Sequence, residues 1–281
     1  MDEMKKFYLV DAFTDRIFSG NPACVFLSKE SLDEKTMQMI AREFNLSETA
    51  FPVPTDSDDF ETSTRFHLRW FTPIVEVPLC GHATLAIAHI LYSELHNSCS
   101  SLSFSTQSGD LSVSKKENSY VMDFPAGELT PVDIDSEAVT ALHLDIESVR
   151  AMMYCPNPNK LLIEVDREKL VRDLSPDFLE LTHISQKFNA GSIVVTAAST
   201  STDYDFISRN FAPIHGVNED PVTGSAHVIL GPYWQSKLGK HRLRAFQASS
   251  RGGFMDVEVK DNGRVDLIGT ARTVAEGQFR I

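Results

Sequence analysis

The chain of 281 residues is 42% hydrophobic and 23% charged, the balance of a globular protein long enough for one large domain or two smaller ones. Its formal net charge of -13 argues against a nucleic acid or an anionic membrane as partner, because such surfaces are bound through clustered Lys and Arg, and none cluster here. Cys24, Cys80, Cys99 and Cys155 are scattered without a C-x-x-C pair, so no metal site and no disulfide framework is expected, and the setting reads as a reducing cytoplasm. The N-terminal segment lacks a signal-peptide core, and no apolar run approaches the length of a membrane span.

In chain order, residues 6–13 and 24–27 read as strands, joined through a turn at Gly20-Asn21-Pro22. Ser31-Leu32-Asp33-Glu34 has the capping-box pattern, and Met37, Ile40, Ala41 and Phe44 then recur at helical spacing, which predicts an amphipathic helix over residues 32–44. Glu48 follows in a polar cluster that leads into the apolar run 50–53. Further strands are predicted at 66–71, 102–105, 111–113 and 120–124, and the Pro- and Asp-rich segment 125–135 is the best linker candidate.

The second half repeats the first. Arg69-Trp70-Phe71-Thr72-Pro73-Ile74 matches Arg209-Asn210-Phe211-Ala212-Pro213-Ile214. The stretch Glu76 to Ala83 matches Glu219 to Ala226 under the pattern E-x-P-x-x-G-x-A, and residues 104–113 match 246–257. Three ordered matches at an offset of about 140 residues mark a duplication. Each half then reads as a β-rich unit around one helix, entered at Gly81-His82 and at Gly224-Ser225. Ala83, Leu85, Ala86, Ile87, Ala88, Ile90 and Leu91 leave almost no polar stripe, which predicts a helix enclosed by a barrel-like sheet. Pro232 predicts a kink in the second helix, or a shorter helix.

Two helix entrances preceded by glycine offer unpaired N–H groups to an anion, and a small carboxylated molecule is the natural guest. His82 and Ser225 stand at equivalent positions, one residue inside each entrance. Glu48 has no counterpart, because Gly191-Ser192-Ile193-Val194 occupies the equivalent place. A carboxyl group where a loop enters the interior suits general acid/base work, although any one of these residues alone reads as an ordinary cap or turn residue.

Asp11-Ala12-Phe13-Thr14, Gly20-Asn21-Pro22, Ser47 to Phe51, Phe71-Thr72-Pro73, Cys80 to Thr84 and Glu219 to Ala226 together resemble the PhzF-like (phenazine biosynthesis-like) family, from about Lys6 to the C-terminus. The resemblance implies an α+β, duplicated diaminopimelate-epimerase-like fold, two halves each a barrel-like sheet around a central helix, with the active cleft between them. The halves are expected at residues 1–125 and 126–270, with the C-terminal strand 271–281 returning to the first. By resemblance Glu48 is the proton-shuttling acid/base, with His82, Asp220 and Ser225 as the other catalytic polar groups. Gly81, Gly224 and Thr223 are the expected substrate-binding groups. The expected activity is a cofactor-independent isomerisation by proton relocation, with no metal, in a cytoplasmic homodimer.

Two other readings stay open. One is a catalytically silent ligand sensor or protein-interaction partner on the same fold. The other is a cysteine-dependent racemase or epimerase, disfavoured because the position matching Cys80 is Thr223, whose hydroxyl is too weak an acid to replace a thiolate. Gln247, Ser249, Arg251 and Gly252 are candidate anion contacts from the sequence alone.

Overall fold

The computed structural model describes residues 4–281, and its chain divides into two compact units, the first running to Phe124 and regaining Ile268–Ile281, the second spanning Pro125–Leu267. The first unit begins with β1 (Met4–Ala12), β2 (Asn21–Phe26), α1 (Glu34–Phe44), β3 (Glu48–Pro54), β4 (Arg65–Phe71) and β5 (Glu76–Val77). It continues with α2 (Gly81–His89), β6 (Ser101–Thr106), β7 (Gly109–Lys116) and β8 (Ser119–Pro125). The second unit holds β9 (Thr130–Pro131), α3 (Ser136–Ala141), β10 (Val149–Cys155), β11 (Lys160–Val165), α4 (Glu168–Asp173) and α5 (Phe178–Lys187). After these come β12 (Ser192–Ala198), β13 (Phe206–Ala212), β14 (Val217–Asp220), α6 (Gly224–Leu238), β15 (Arg242–Gln247) and β16 (Gly253–Val259), and β17 (Arg264–Gly269) carries the chain from the second unit back into the first. The chain ends in β18 (Ala271–Arg280), which pairs antiparallel with β1 from Ala12↔Ala271 to Met4↔Arg280.

The duplication is written in the strand pairing. In the first unit β1–β2 is antiparallel, β2–β3 parallel, β3–β4 antiparallel, β4–β6 parallel and β6–β7 antiparallel. In the second, β10–β11, β11–β12, β12–β13, β13–β15 and β15–β16 repeat that alternation. A bidentate ion pair braces the same corner in each unit. Arg69 grips Glu76 with both contacts at 2.6 Å, and Arg209 grips Glu219 at 2.6 and 2.9 Å. Each guanidinium also lies 5.1 Å over a phenylalanine ring, Phe71 or Phe211.

Both central helices are buried for most of their length, as an all-round apolar pattern requires. α2 packs against β1, β2, β3 and β18, and its chain runs on into a π-helical turn, Ile90–Glu94. α6 packs against β15 and β16. It does not stop at Pro232, contrary to a shortened helix, and runs on to Leu238. A proline there cannot donate to the carbonyl of Val228, but the backbone N–H of Gly127 takes that carbonyl at 3.1 Å. The helix therefore loses a donor without leaving an orphaned acceptor.

Two other expectations need correction. The N-cap of α1 is Asp33, whose carboxylate accepts from the Thr36 N–H at 3.0 Å, so the helix starts two residues later than the box at Ser31 suggested. The segment 125–135 is no free linker, because Ala126 donates to Gly263 and β9 pairs with β10. No helix among the described residues is long and apolar enough to cross a membrane.

Candidate active site

Three elements of the first unit converge on one imidazole. Gly20 has φ +68°, and a Cβ there would meet the Ala12 carbonyl oxygen at 2.2 Å, so only glycine brings the chain this close to β1. The turn delivers Asn21, fully buried, as the first residue of β2. Glu48 opens β3, paired in parallel with Ala23 of β2. His82 enters from the first turn of α2, behind its N-cap Cys80.

His82 is the hub of the group. Its Nε2 lies 3.1 Å from Glu48 Oε2, and its Nδ1 lies 3.1 Å from Asn21 Nδ2 and 3.5 Å from Cys80 Sγ. With the Asn21 amide donating, Nδ1 is the acceptor and the ring proton sits on Nε2, facing Glu48. When the ring gains a second proton, the amide has only to turn over to accept from Nδ1. The contact between Nε2 and Oε2 is close but not aligned as a hydrogen bond, and both buried atoms lack another partner among the described residues.

Burial opposes charge on His82, but the facing Cys80 and Glu48 outweigh it and hold the imidazole pKa well above its ordinary value. Burial and the Glu48 charge push the Cys80 thiol up to about 11, with His82 pulling the other way. Cys80 is therefore a neutral thiol near pH 7. The Cys80 side chain makes no capping hydrogen bond.

In the second unit Thr223 is the N-cap of α6 and takes the place of Cys80. Its hydroxyl donates to Asp220 Oδ2 at 2.5 Å, and its backbone N–H donates to Gln247 Oε1 at 2.9 Å. Gln247 Nε2 donates to the Asp220 carbonyl at 2.7 Å and to the Thr223 hydroxyl at 3.2 Å. Ser249 donates to the Pro221 carbonyl at 2.8 Å. Gln247 and Ser249 thus brace the loop before α6 rather than present free donors to an anion. Ser225 stands partly exposed in the first turn of α6, and Gly224 is buried at its start.

Of the residues singled out from the sequence, Glu48, Gly81 and His82 come together in the first unit, and Asp220, Thr223, Gly224 and Ser225 come together in the second. Sequence reading left two groups out. Asn21 reads from the sequence as a turn residue in Gly20-Asn21-Pro22. Lys160 gave no sequence signal. It is 6% exposed, donates to Ser192 at 2.8 Å, and has its pKa lowered to about 8 by burial, against the pull of Asp220 and Cys155.

Residues 10–277 match the family model described as phenazine biosynthesis-like protein. The chain is similar to phenazine biosynthesis-like domain-containing protein 2 of Mus musculus, 44% identical over 96% of this chain and 97% of that protein. It is equally similar, at 44% identity over 97% of each chain, to a Halalkalibacterium halodurans protein named as an uncharacterized isomerase. The crystal structure of a PhzF-family phenazine biosynthesis protein from Enterococcus faecalis superposes with a TM-score of 0.90 and 39% identity, covering 99% of this chain and 100% of that one.

Proposed function

The chain belongs to the phenazine biosynthesis-like family, and on that premise we propose that it is an isomerase that relocates a proton on a small carboxylated metabolite, with Glu48 as general acid/base. The observation that carries this reading is the pair formed by Glu48 and His82, an unduplicated carboxylate 3.1 Å from a buried imidazole. The isomerase name of the Halalkalibacterium relative supports the reaction class.

The chemistry follows from the geometry. The imidazole beside Glu48 gives its carboxyl group a polar neighbour whose charge can follow the proton as it arrives. Glu48 takes a proton from an activated carbon, and the protonated carboxyl returns it at another carbon of the same substrate. The N–H groups at the start of α2, Gly81 first, suit the substrate carboxylate. No step calls for a redox or electrophilic cofactor, because a carbon acid flanked by unsaturation gives up its proton to a positioned base.

The test is an NMR screen of unsaturated and hydroxylated carboxylic acids in D2O, run with the wild-type chain and with Glu48→Gln. Deuterium should enter the substrate of the wild type, and the variant should lose two to four orders of magnitude in rate, roughly the worth of a positioned acid/base. Equal exchange in the variant would remove Glu48 from the mechanism. Binding without exchange in either protein would favour the sensor reading.

A further inference from the structure

The Glu48, Cys80 and His82 side chains offer a carboxylate oxygen, a thiol sulfur and an imidazole nitrogen that all lie within 4.8 Å of one another, the one such trio of donors among the described residues. The corresponding positions of the second unit hold Ser192, Thr223 and Ser225, which supply no carboxylate, thiol or imidazole. Duplication therefore does not explain the cluster, and neither does packing. His82 Nε2 and Glu48 Oε2 are buried side by side 3.1 Å apart, and neither has any other hydrogen-bond partner among the described residues.

Their separation of 3.1 Å is close to the edge of a tetrahedron around a zinc-sized ion, about 3.3 Å when metal–nitrogen and metal–oxygen bonds are about 2.0–2.2 Å long. Cys80 Sγ rests 3.5 Å from Nδ1, against the other ring nitrogen, and joins an ion at Nε2 by rotation of its side chain. With its amide turned so that the oxygen accepts from Nδ1–H, Asn21 leaves the Nε2 lone pair to the ion, the kind of outer contact that orients a metal-binding histidine.

We propose that Glu48, Cys80 and His82 form a binding site for a borderline-soft divalent cation such as Zn2+, with three protein ligands and an open fourth position, and that occupancy silences the protein by immobilising Glu48. The trio mixes sulfur, nitrogen and oxygen, a donor set that selects Zn2+ over Mg2+ or Ca2+, which prefer oxygen alone. On binding, the S–H bond of Cys80 is replaced by a sulfur–metal bond and the Nε2–H bond of the charged His82 ring by a nitrogen–metal bond, so two protons leave to solvent. The binding claim stands apart from the proposed reaction, and only the silencing rests on it.

Metal-stripped full-length protein is titrated with Zn2+ against a chromogenic chelator, and with Co2+ as an absorbing probe. One ion per chain is expected, with a thiolate-to-cobalt absorption band. Cys80→Ser should abolish that band and weaken Zn2+ binding at least tenfold. Glu48→Gln should weaken it as well, while Cys99→Ser, at a partly exposed cysteine away from the trio, should leave both readouts unchanged. Circular dichroism checks that each variant is folded. Absence of stoichiometric binding, or unchanged affinity and band in folded Cys80→Ser, overturns the site. Stoichiometric Zn2+ that leaves proton exchange at its full rate overturns the silencing alone. Failure to find any exchange substrate, with binding intact, counts against the isomerase and not against the metal site.

Discussion

The charge on His82 is decided by a contest between burial and two neighbours. Burial alone would drive the imidazole neutral, and Cys80 and Glu48 together reverse that. A histidine whose folded pKa is raised adds stability that is complete below the ordinary value of 6.5 and is lost as pH rises through the folded value. Glu48→Gln removes one of the two raising neighbours and keeps the burial, so the His82 pKa should fall, measured by histidine proton NMR. An unchanged pKa would show that Glu48 does not set the charge. The sequence marked Glu48 and His82 as residues but could not reveal that Asn21 and Cys80 share the other ring nitrogen. That contact joins positions 61 residues apart, which no local pattern encodes.

At the scale of elements, α6 shows how a helix tolerates a proline. Pro232 removes one donor, Gly127 satisfies the freed Val228 carbonyl, and Gly231 beside it lets the helix lie close to β16. A Cβ at Gly231 would meet Val257 Cγ1 at 2.5 Å. Gly231→Ala should therefore destabilise the second unit by about 1–3 kcal/mol through overpacking, although alanine is the better helix former. Urea unfolding followed by the fluorescence of Trp234, three residues away on the same helix, measures it, and a variant as stable as wild type would show that the strand yields. The continuation of α6 beyond Pro232 was not legible from the sequence, because the compensating N–H comes from residue 127. The start of α1 was misplaced for a smaller reason, since Ser31 and Asp33 both suit an N-cap and only backbone geometry chose between them.

Across the whole molecule, each unit carries one buried histidine that folding holds neutral. His89 in α2 and His227 in α6 both have pKa values lowered to about 4 by burial. A depressed histidine adds stability above the ordinary 6.5 that is lost as pH falls toward 4, because the unfolded chain binds the proton first. Each contributes roughly 3 kcal/mol. The urea midpoint should accordingly drop between pH 6.5 and 4, and His227→Gln should flatten the part belonging to the second unit; a midpoint constant over that range would refute the assignment. By itself the sequence determined the duplication, the α+β class, the family and the two enclosed helices, because apolar periodicity and repeated motifs are local properties that survive in a linear text. Only the tertiary structure decided that Glu48, Cys80, His82 and Asn21 meet, that Gln247 braces a loop, and that a lysine lies buried beside Ser192. Those contacts depend on strand pairing and turn geometry acting over long stretches of chain, and a one-residue change of register would turn each side chain to the opposite face.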